Sequence, residues 1–216
     1  MMIQTEKFTE TEIVERVING EKSLYEIIVR RFNPYLYKVG RSYNYNHEDT
    51  QDLMQETFVD AYKSLKQFEG RSDFKTWLVR IMLNNCYHKK EKFSFKNEIS
   101  QDLNINSNPM FTNSNNDTEK VIQNRELGHI LEDALSEIPL DYRMVFSLRE
   151  INGFNVAETA NLLHITEANV KTRLSRSKSM LRNEIEKTYS TAELFEFNLI
   201  YCDAIVENVM KRINEL

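Results

Sequence analysis

Three polar side chains stand together on one face of a predicted helix in the stretch DLMQETFVDAY, residues 52–62. At 3.6 residues per turn, Asp52, Gln55 and Glu56 point to the same side, away from an apolar stripe that would pack against a core. Carboxylate and amide oxygens can bind a metal ion or contact a partner protein. A metal site of the common kind would also need a histidine or cysteine in register, and none is present. The alternative is a solvated helix face that contacts nothing.

A second group of candidate functional residues lies in the basic segment that follows a predicted turn in NVAETANLLHITEANVKTRLSRSKSMLR, residues 155–182. Asn155 can cap a short helix with Glu158 as its reciprocal partner, and Thr166 can cap a second helix. The letters LHI between the two helices form the turn. This pattern predicts a helix-turn-helix, although His164 occupies a turn position that glycine usually takes.

The second of these helices should begin near Glu167, and the early part of its exposed face carries side chains that can contact DNA. Amide and hydroxyl groups can donate and accept at base edges, and cations can meet bases or phosphates. The residues concerned are Asn169, Lys171, Thr172, Arg173 and Arg176. The alternative is a plain helical hairpin whose charges are solvated.

The elements that position these groups are all predicted to be helical. From 9 to 92 the apolar residues recur with helical spacing almost throughout, including one long segment around Pro34. The stretch 93–118 is rich in asparagine and serine and has no periodicity, which predicts a flexible linker. Helical spacing resumes over 119–187. The sequence therefore predicts an all-α protein of two small helical domains joined by a flexible linker.

The last segment, 188–216, is predicted to form an amphipathic C-terminal helix. Its apolar residues recur at helical spacing. They are Leu194, Phe197, Tyr201, Ile205, Val209 and Ile213. Because an apolar face of this size is rarely left exposed, something must cover it. Two covers remain open: the protein's own DNA-binding domain, or an inhibitor or other regulator that docks on the helix.

Composition and charge exclude several classes of function. The 216 residues carry a net charge of -5, but lysine and arginine are concentrated over 171–187, so a nucleic-acid partner is compatible with the charge distribution. No apolar run could span a membrane and no secretion signal is visible, which predicts a cytoplasmic protein without membrane insertion. Cys86 and Cys202 are too far apart in sequence to suggest a zinc motif. With no catalytic motif present, we expect no enzyme activity, no cofactor and no metal.

Three segments resemble, in order, the small two-domain sigma factors of bacterial RNA polymerase called the extracytoplasmic-function group. They are DLMQETFVDAY, FKTWLVRIMLNNCY and IPLDYRMVFSLREINGFNVAETANLLHITEANVKTRLSRSKSML. The resemblance covers roughly Leu24 to Leu181 and implies a promoter-specificity subunit that binds core RNA polymerase and promoter DNA. It also implies that Asp52, Gln55 and Glu56 contact a basic coiled coil of the largest polymerase subunit. A face of acids and amides suits such an arginine-rich partner.

By the same resemblance, the loop and helix in EGRSDFKTWLVRIMLNN bind the melted non-template strand of the minus-ten promoter element. Cations there would meet phosphates, polar groups would read a base edge, and an aromatic ring would offer a stacking face. The implied set is Arg71, Ser72, Asp73, Phe74, Lys75, Trp77 and Asn84. Core packing is the alternative for the two aromatic residues.

The resemblance further implies that the helix-turn-helix recognises the double-stranded minus-35 element. The residues at its matching positions are Thr166, Glu167, Asn169, Lys171, Thr172, Arg173 and Arg176. Members of the family are commonly held inactive by an anti-sigma factor, which is a further implied partner.

Two rival functions remain open. One is a polymerase-independent helix-turn-helix regulator with an N-terminal sensing or dimerisation domain, and the other is a helical scaffold that does not bind DNA. The acidic face on residues 52–56 counts against the first, and the basic recognition helix counts against the second.

Overall fold

The structure is a computed structural model that describes residues 8–94 and 128–188, together with Met210, Lys211 and Ile213. The prediction of an all-α fold is confirmed, because every regular element in these ranges is helical. The predicted linker beyond Ser94 and most of the predicted C-terminal helix lie outside the described residues.

The first domain contains four α-helices. They are α1 (Glu10–Ile18), α2 (Tyr25–Arg41), α3 (His47–Lys63) and α4 (Phe74–Ser94), with short 3-10 turns at Lys22–Leu24 and Leu65–Gln67. Thr9 and Glu12 form a reciprocal capping pair that starts α1, and the Asn46 side chain accepts from the backbone N–H of Asp49 to start α3. The segment around Pro34 is one helix, as predicted.

Helices α2, α3 and α4 pack against one another around a fully buried apolar core. Ile27 and Leu36 from α2, Leu53 from α3, and Leu78 and Met82 from α4 are almost completely inaccessible to solvent. The outer faces of α3 and α4 are left for other contacts, and they carry the polar residues that the sequence singled out.

Gly40 allows α2 and α3 to approach closely. A Cβ atom at this position would lie 2.7 Å from Cγ2 of Thr50 and 3.0 Å from Cε of Met82. Real Cβ atoms are not found at the first of these distances, so a side chain here would push α2 and α3 apart.

Gly40→Ala is therefore expected to lower the free energy of unfolding by about 1 kcal/mol or more, measured by urea denaturation. Alanine normally favours a helix over glycine by about 1 kcal/mol, but overpacking in a core costs about 1–3 kcal/mol. The matched control is the same substitution in a Thr50→Ser background, which removes Cγ2 and should recover part of the loss. A Gly40→Ala protein more stable than the parent would contradict this account.

The second domain is built from four further helices. Helix α5 covers the described residues 128–136, and it is followed by α6 (Leu140–Phe146), α7 (Val156–Leu163) and α8 (Glu167–Thr188). Helix α6 continues directly into a π-helical turn, Ser147–Ile151. Helices α6 and α7 both pack along α8.

The two domains are packed together rather than separated. Met144 and Leu148 from α6 and the π-helical turn, Phe154 from the following loop, and Leu162 from α7 belong to the same buried cluster as the core of the first domain. Within the described ranges, no helix combines the length and the apolar character needed to cross a membrane.

Candidate protein and nucleic-acid interfaces

The outer face of α3 is exposed along its length. Asp52, Gln55 and Glu56 are all solvent-exposed, and none makes a side-chain hydrogen bond or ion pair within the part of the chain that the structure describes. Further along the same helix, Val59 is 51% exposed and Tyr62 36% exposed. The face therefore combines carboxylates and an amide that have no side-chain hydrogen-bond or ion-pair partner in the described chain with exposed apolar surface.

The loop ahead of α4 presents Arg71, Ser72 and Asp73 to solvent. The Arg71 guanidinium forms a surface ion pair with Glu69, and exposed pairs of this kind contribute little stability, so the cation can exchange partners. Asn84 is exposed on α4 itself. These four predicted minus-ten residues lie where a single strand could reach them.

Phe74 lies in the core, which agrees with the alternative interpretation that its ring has a packing role. Its side chain is 4% exposed, and its ring centroid lies 5.5 Å from that of Phe32 and 5.2 Å from that of Phe68. Trp77 is half-buried in the same aromatic cluster, 5.4 Å from Phe74. The structure thus does not bring the Phe74 ring to the surface where a base could stack on it.

Two lysines of α4 are committed to contacts inside the molecule. Lys75 is half-buried, and its Nζ lies 4.1 Å from the ring centroid of Tyr35. Lys89 forms a 2.6 Å ion pair with Asp49. The ammonium group of Lys75 also contacts the second domain, 4.5 Å from the ring centroid of Phe154, and its phosphate contact stays a prediction.

Arg80 is a residue that the sequence interpretation missed. It lies on α4 with Asn84, Tyr87 and His88, at the helical spacing that places them on one side, and the last three are exposed. Its guanidinium donates a 3.0 Å hydrogen bond to Oδ1 of Asn161 on α7. The helical spacing of residues 80, 84, 87 and 88 was visible in the sequence and would have grouped Arg80 with the other polar residues of this face.

The predicted caps of the helix-turn-helix are confirmed. Asn155 and Glu158 form a capping box that starts α7, and the backbone N–H of Asn169 donates to Oγ1 of Thr166 at the start of α8. The recognition helix begins at Glu167, as predicted. On α7, Ala160 is buried, whereas Ala157 is exposed.

His164 ends α7 in a left-handed conformation, with φ 53° and ψ 42°. This is the turn position that glycine usually takes, because a Cβ atom is disfavoured there by about 1 kcal/mol. The side chain is exposed and so has no packing role that would offset the strain.

His164→Gly is therefore expected to raise the thermal midpoint of unfolding. The free energy of unfolding should rise by about 0.5 kcal/mol, because the relief of backbone strain exceeds the cost of the greater flexibility of glycine in the unfolded chain. Differential scanning calorimetry would measure it. His164→Ala serves as the control, because it removes the ring and keeps the Cβ. Equal midpoints for the two variants would show that the backbone is not strained at this turn.

The predicted minus-35 residues lie at the start of α8, mostly in solvent. Thr166, Glu167, Asn169, Lys171, Thr172 and Arg176 are exposed. Arg173 is less free, since its Nη1 lies 3.3 Å from the carboxylate of Asp141 on α6. Arg176 makes only a 3.5 Å contact with the Tyr142 hydroxyl. The helix therefore presents cations and hydrogen-bonding groups in the arrangement suited to a DNA groove.

A cleft of about 460 Å³ separates the end of α4 from the start of α8. Tyr43, Tyr87, Lys90 and Glu91 line it from the first domain, and Leu140, Asp141, Met144, Leu163 and Arg173 line it from the second. The two helices predicted to contact promoter DNA thus face each other across one opening. Among the described residues, no group of histidine, cysteine, aspartate and glutamate is arranged to hold a metal ion.

Two family models match the chain, one in each domain. Sigma-70 region 2 matches residues 28–92, and sigma-70 region 4 matches residues 128–181. Together they cover more than half of the 216 residues, in the order that the sequence predicted. The chain belongs to the sigma-70 family. Region 2 contains α3 and nearly all of α2 and α4, and region 4 contains α7 and most of α8.

The curated relatives to which this sigma factor is similar include sigma factors of the extracytoplasmic-function (ECF) group. The ECF RNA polymerase sigma-E factor of Haemophilus influenzae is 28% identical over 185 residues, with 84% of this chain and 97% of the relative covered. The factor of the same name from Escherichia coli K12 is 27% identical over 188 residues, with the same coverage.

Solved structures share the fold. CnrH, determined in complex with the cytosolic domain of CnrY, is similar with a TM-score of 0.57 and 20% identity, over 82% of this chain and 97% of that one. The sigma factor RpoE of Bartonella quintana, determined with the anti-sigma factor NepR, has a TM-score of 0.56 and 23% identity, over 71% and 91% of the two chains. The all-α fold of this sigma factor is therefore that of known relatives.

Proposed function

We propose that this sigma factor binds core RNA polymerase in the cytoplasm and directs transcription initiation by recognising minus-35 and minus-ten promoter elements. Residues 9–92 form the domain for polymerase and the minus-ten element, and 119–187 form the domain for the minus-35 element. Residues 93–118 connect the two domains, and 188–216 form a C-terminal extension. The chemistry of RNA synthesis belongs to the polymerase.

The observation that carries this proposal is the uncommitted face of α3. Asp52, Gln55 and Glu56 are exposed and make no side-chain hydrogen bond or ion pair within the described residues, and the exposed side chains of Val59 and Tyr62 lie on the same helix. Carboxylates form strong charge-assisted bonds with arginine, and the amide adds direction without further charge. A basic coiled coil of the polymerase is the partner that such a face would fit.

Recognition of the minus-ten element is proposed for the loop before α4 and the outer face of that helix. Arg71, Ser72, Asp73 and Asn84 are accessible there, and Arg80 extends the same face. In proteins that bind single-stranded DNA, cations contact the phosphate backbone of the strand, and polar groups hydrogen-bond to the edge of an extruded base.

Recognition of the minus-35 element is proposed for the first turns of α8. The positions that enter a major groove in helix-turn-helix proteins are the N-terminal ones of the second helix. In this chain those positions include Asn169, Lys171 and Thr172, which are all exposed. Asp141 of α6 pairs with Arg173 on the same part of α8, so one of the positive charges of this helix is partly balanced before DNA binds.

An anti-sigma factor is the proposed regulatory partner. Bartonella quintana RpoE was solved with the anti-sigma factor NepR, and its fold is shared by this chain. The cleft between α4 and α8 offers both apolar and charged lining groups to such a protein.

Reconstitution with core polymerase tests the function. Genomic promoter fragments of the host, incubated with core enzyme and nucleotides, should yield defined transcripts only when the sigma factor is added. A polymerase-independent regulator would instead bind operator DNA alone and would not support initiation. Promoter-specific RNA that appears equally without the protein would contradict the proposal.

A further inference from the structure

Two apolar side chains near the C-terminus of the chain are exposed side by side. Met210 and Ile213 are 50% and 54% exposed, and their spacing of three places them on one side of a helix. The sequence predicts that this apolar face extends back along the segment through Leu194, Phe197, Tyr201, Ile205 and Val209. Contact of such a face with water is unfavourable, so another surface must cover it.

The cleft between the end of α4 and the start of α8 offers an apolar surface of the matching kind. Its apolar and aromatic lining comes from Tyr43, Tyr87, Leu140, Met144 and Leu163. Tyr87 is 55% exposed, so part of this lining is also open to water. An amphipathic helix binds such a groove by placing side chains from one of its faces between the walls.

The charged groups of the cleft leave one cation available on its rim. The carboxylate of Asp141 pairs with Arg173 at 3.3 Å, and the carboxylate of Glu91 lies 3.9 Å from Nδ1 of His88. Lys90 is exposed and has no ion-pair partner within the ranges that the structure describes. An acidic occupant would therefore gain a favourable contact with Lys90.

The C-terminal segment, residues 189–216, has the charge that such an occupant needs. It contains five acidic and two basic side chains. The cleft lies between the two basic stretches of the chain, residues 88–92 on α4 and residues 171–176 on α8. Attraction between opposite charges would thus favour this segment in the cleft and fix its orientation there.

The segment is also long enough to reach the cleft. Helix α8 ends at Thr188, and Arg173, which lines the cleft, lies about 22 Å back along the helix at 1.5 Å per residue. The 28 residues that follow Thr188 cover about 42 Å even when every one is helical. After a turn, the segment can therefore run back along α8 as the second helix of an antiparallel pair.

We propose that residues 189–216 dock in this cleft as an amphipathic helix, with their apolar face on Tyr87, Leu140 and Leu163 and their carboxylates towards Lys90. The contact lies within one chain, and it goes beyond the proposed function. The docked segment would lie beside Arg173, one of the residues predicted to contact the minus-35 element.

Labelling of single thiols by N-ethylmaleimide in the full-length chain tests the contact. Ile205→Cys, made together with Cys202→Ser, places a reactive thiol on the apolar face of the segment. Glu207→Cys in the same background is the matched control, because two positions along a helix it points to the opposite side. Cys86 is buried, and burial raises the pKa of its thiol to about 12, so it stays unlabelled while the chain is folded. Mass spectrometry reads both sites.

The thiol at position 205 is expected to react about ten-fold more slowly than the thiol at position 207, because the docked arrangement predominates. Lys90→Glu should remove most of this protection, since it places a carboxylate opposite the acidic segment. Lys92→Glu is its control, because Lys92 is exposed and does not line the cleft. The reagent is uncharged, so neither substitution alters its approach.

Equal labelling rates at the two positions would overturn the proposal. Protection that Lys90→Glu leaves unchanged would also overturn it, because the segment would then be covered by another surface. Protection that is lost on dilution would overturn it as well, because it would assign the apolar face to a second copy of the chain.

Discussion

Assembly with core polymerase is expected to weaken by about 2–4 kcal/mol when Asp52→Lys and Glu56→Lys are combined on the outer face of α3. The two carboxylates are exposed and uncommitted, so each lysine would face the basic partner surface as a like charge. The single variant Glu56→Lys should lose about 1–3 kcal/mol. Equilibrium binding to fluorescently labelled core enzyme measures both.

Stability should not change, because the substituted positions lie away from the core. Glu15→Lys is the matched control, since it reverses one exposed carboxylate on α1, a helix that carries no predicted polymerase contact. Circular dichroism and thermal melting establish that all variants are folded. Undiminished binding by the folded double variant would remove α3 from the polymerase interface.

The affinity for the minus-35 promoter element is expected to change in opposite directions when one residue of α8 and one residue of α6 are substituted. Arg176→Ala should lower affinity by about 1–3 kcal/mol, because its guanidinium is exposed and only weakly engaged. Asp141→Asn should raise affinity, because it removes the carboxylate that holds Arg173 and that would repel DNA phosphates. Footprinting of the reconstituted holoenzyme on a promoter series measures both effects.

The same series separates base contacts from phosphate contacts. A residue that reads a base should relax the preference at one promoter position, whereas a phosphate contact should weaken all sequences alike. Arg182→Ala provides the control, since Arg182 is exposed on α8 well past its first turns. If neither Arg176→Ala nor Asp141→Asn alters promoter affinity, the register assigned to the recognition helix is wrong.

Local features of this fold could be predicted from the sequence because they depend on neighbouring residues. The cap formed by Asn155 and Glu158 joins residues three positions apart, and the exposure of Asp52 follows from helical spacing. The unusual turn at His164 was also visible, because a residue other than glycine stood where a left-handed conformation is needed.

Contacts between the domains could not be predicted, because they join residues about a hundred positions apart. Ser42 and Ser147 are small polar residues of the kind usually found at the surface, and only the packed structure shows that they are buried together. Arg143 is 7% exposed, and burial lowers its pKa to about 10. The family resemblance implied a DNA contact for Lys75, and nothing near it in the sequence indicated that Phe154 of the second domain would lie over its ammonium group.

The aromatic cluster of Phe68, Phe74 and Trp77, next to the loop before α4, has a spectroscopic consequence. Trp77 is the sole tryptophan of the chain, so fluorescence excited at its absorption edge arises from one indole, whose ring centroid lies 5.3 Å from that of Phe68. This emitter is half-buried in the first turn of α4, where its backbone N–H donates to the carbonyl oxygen of Asp73 at the end of the exposed loop. Its emission wavelength and its quenching by nucleobases would therefore report rearrangement of that loop during DNA melting, in the unlabelled protein and in real time.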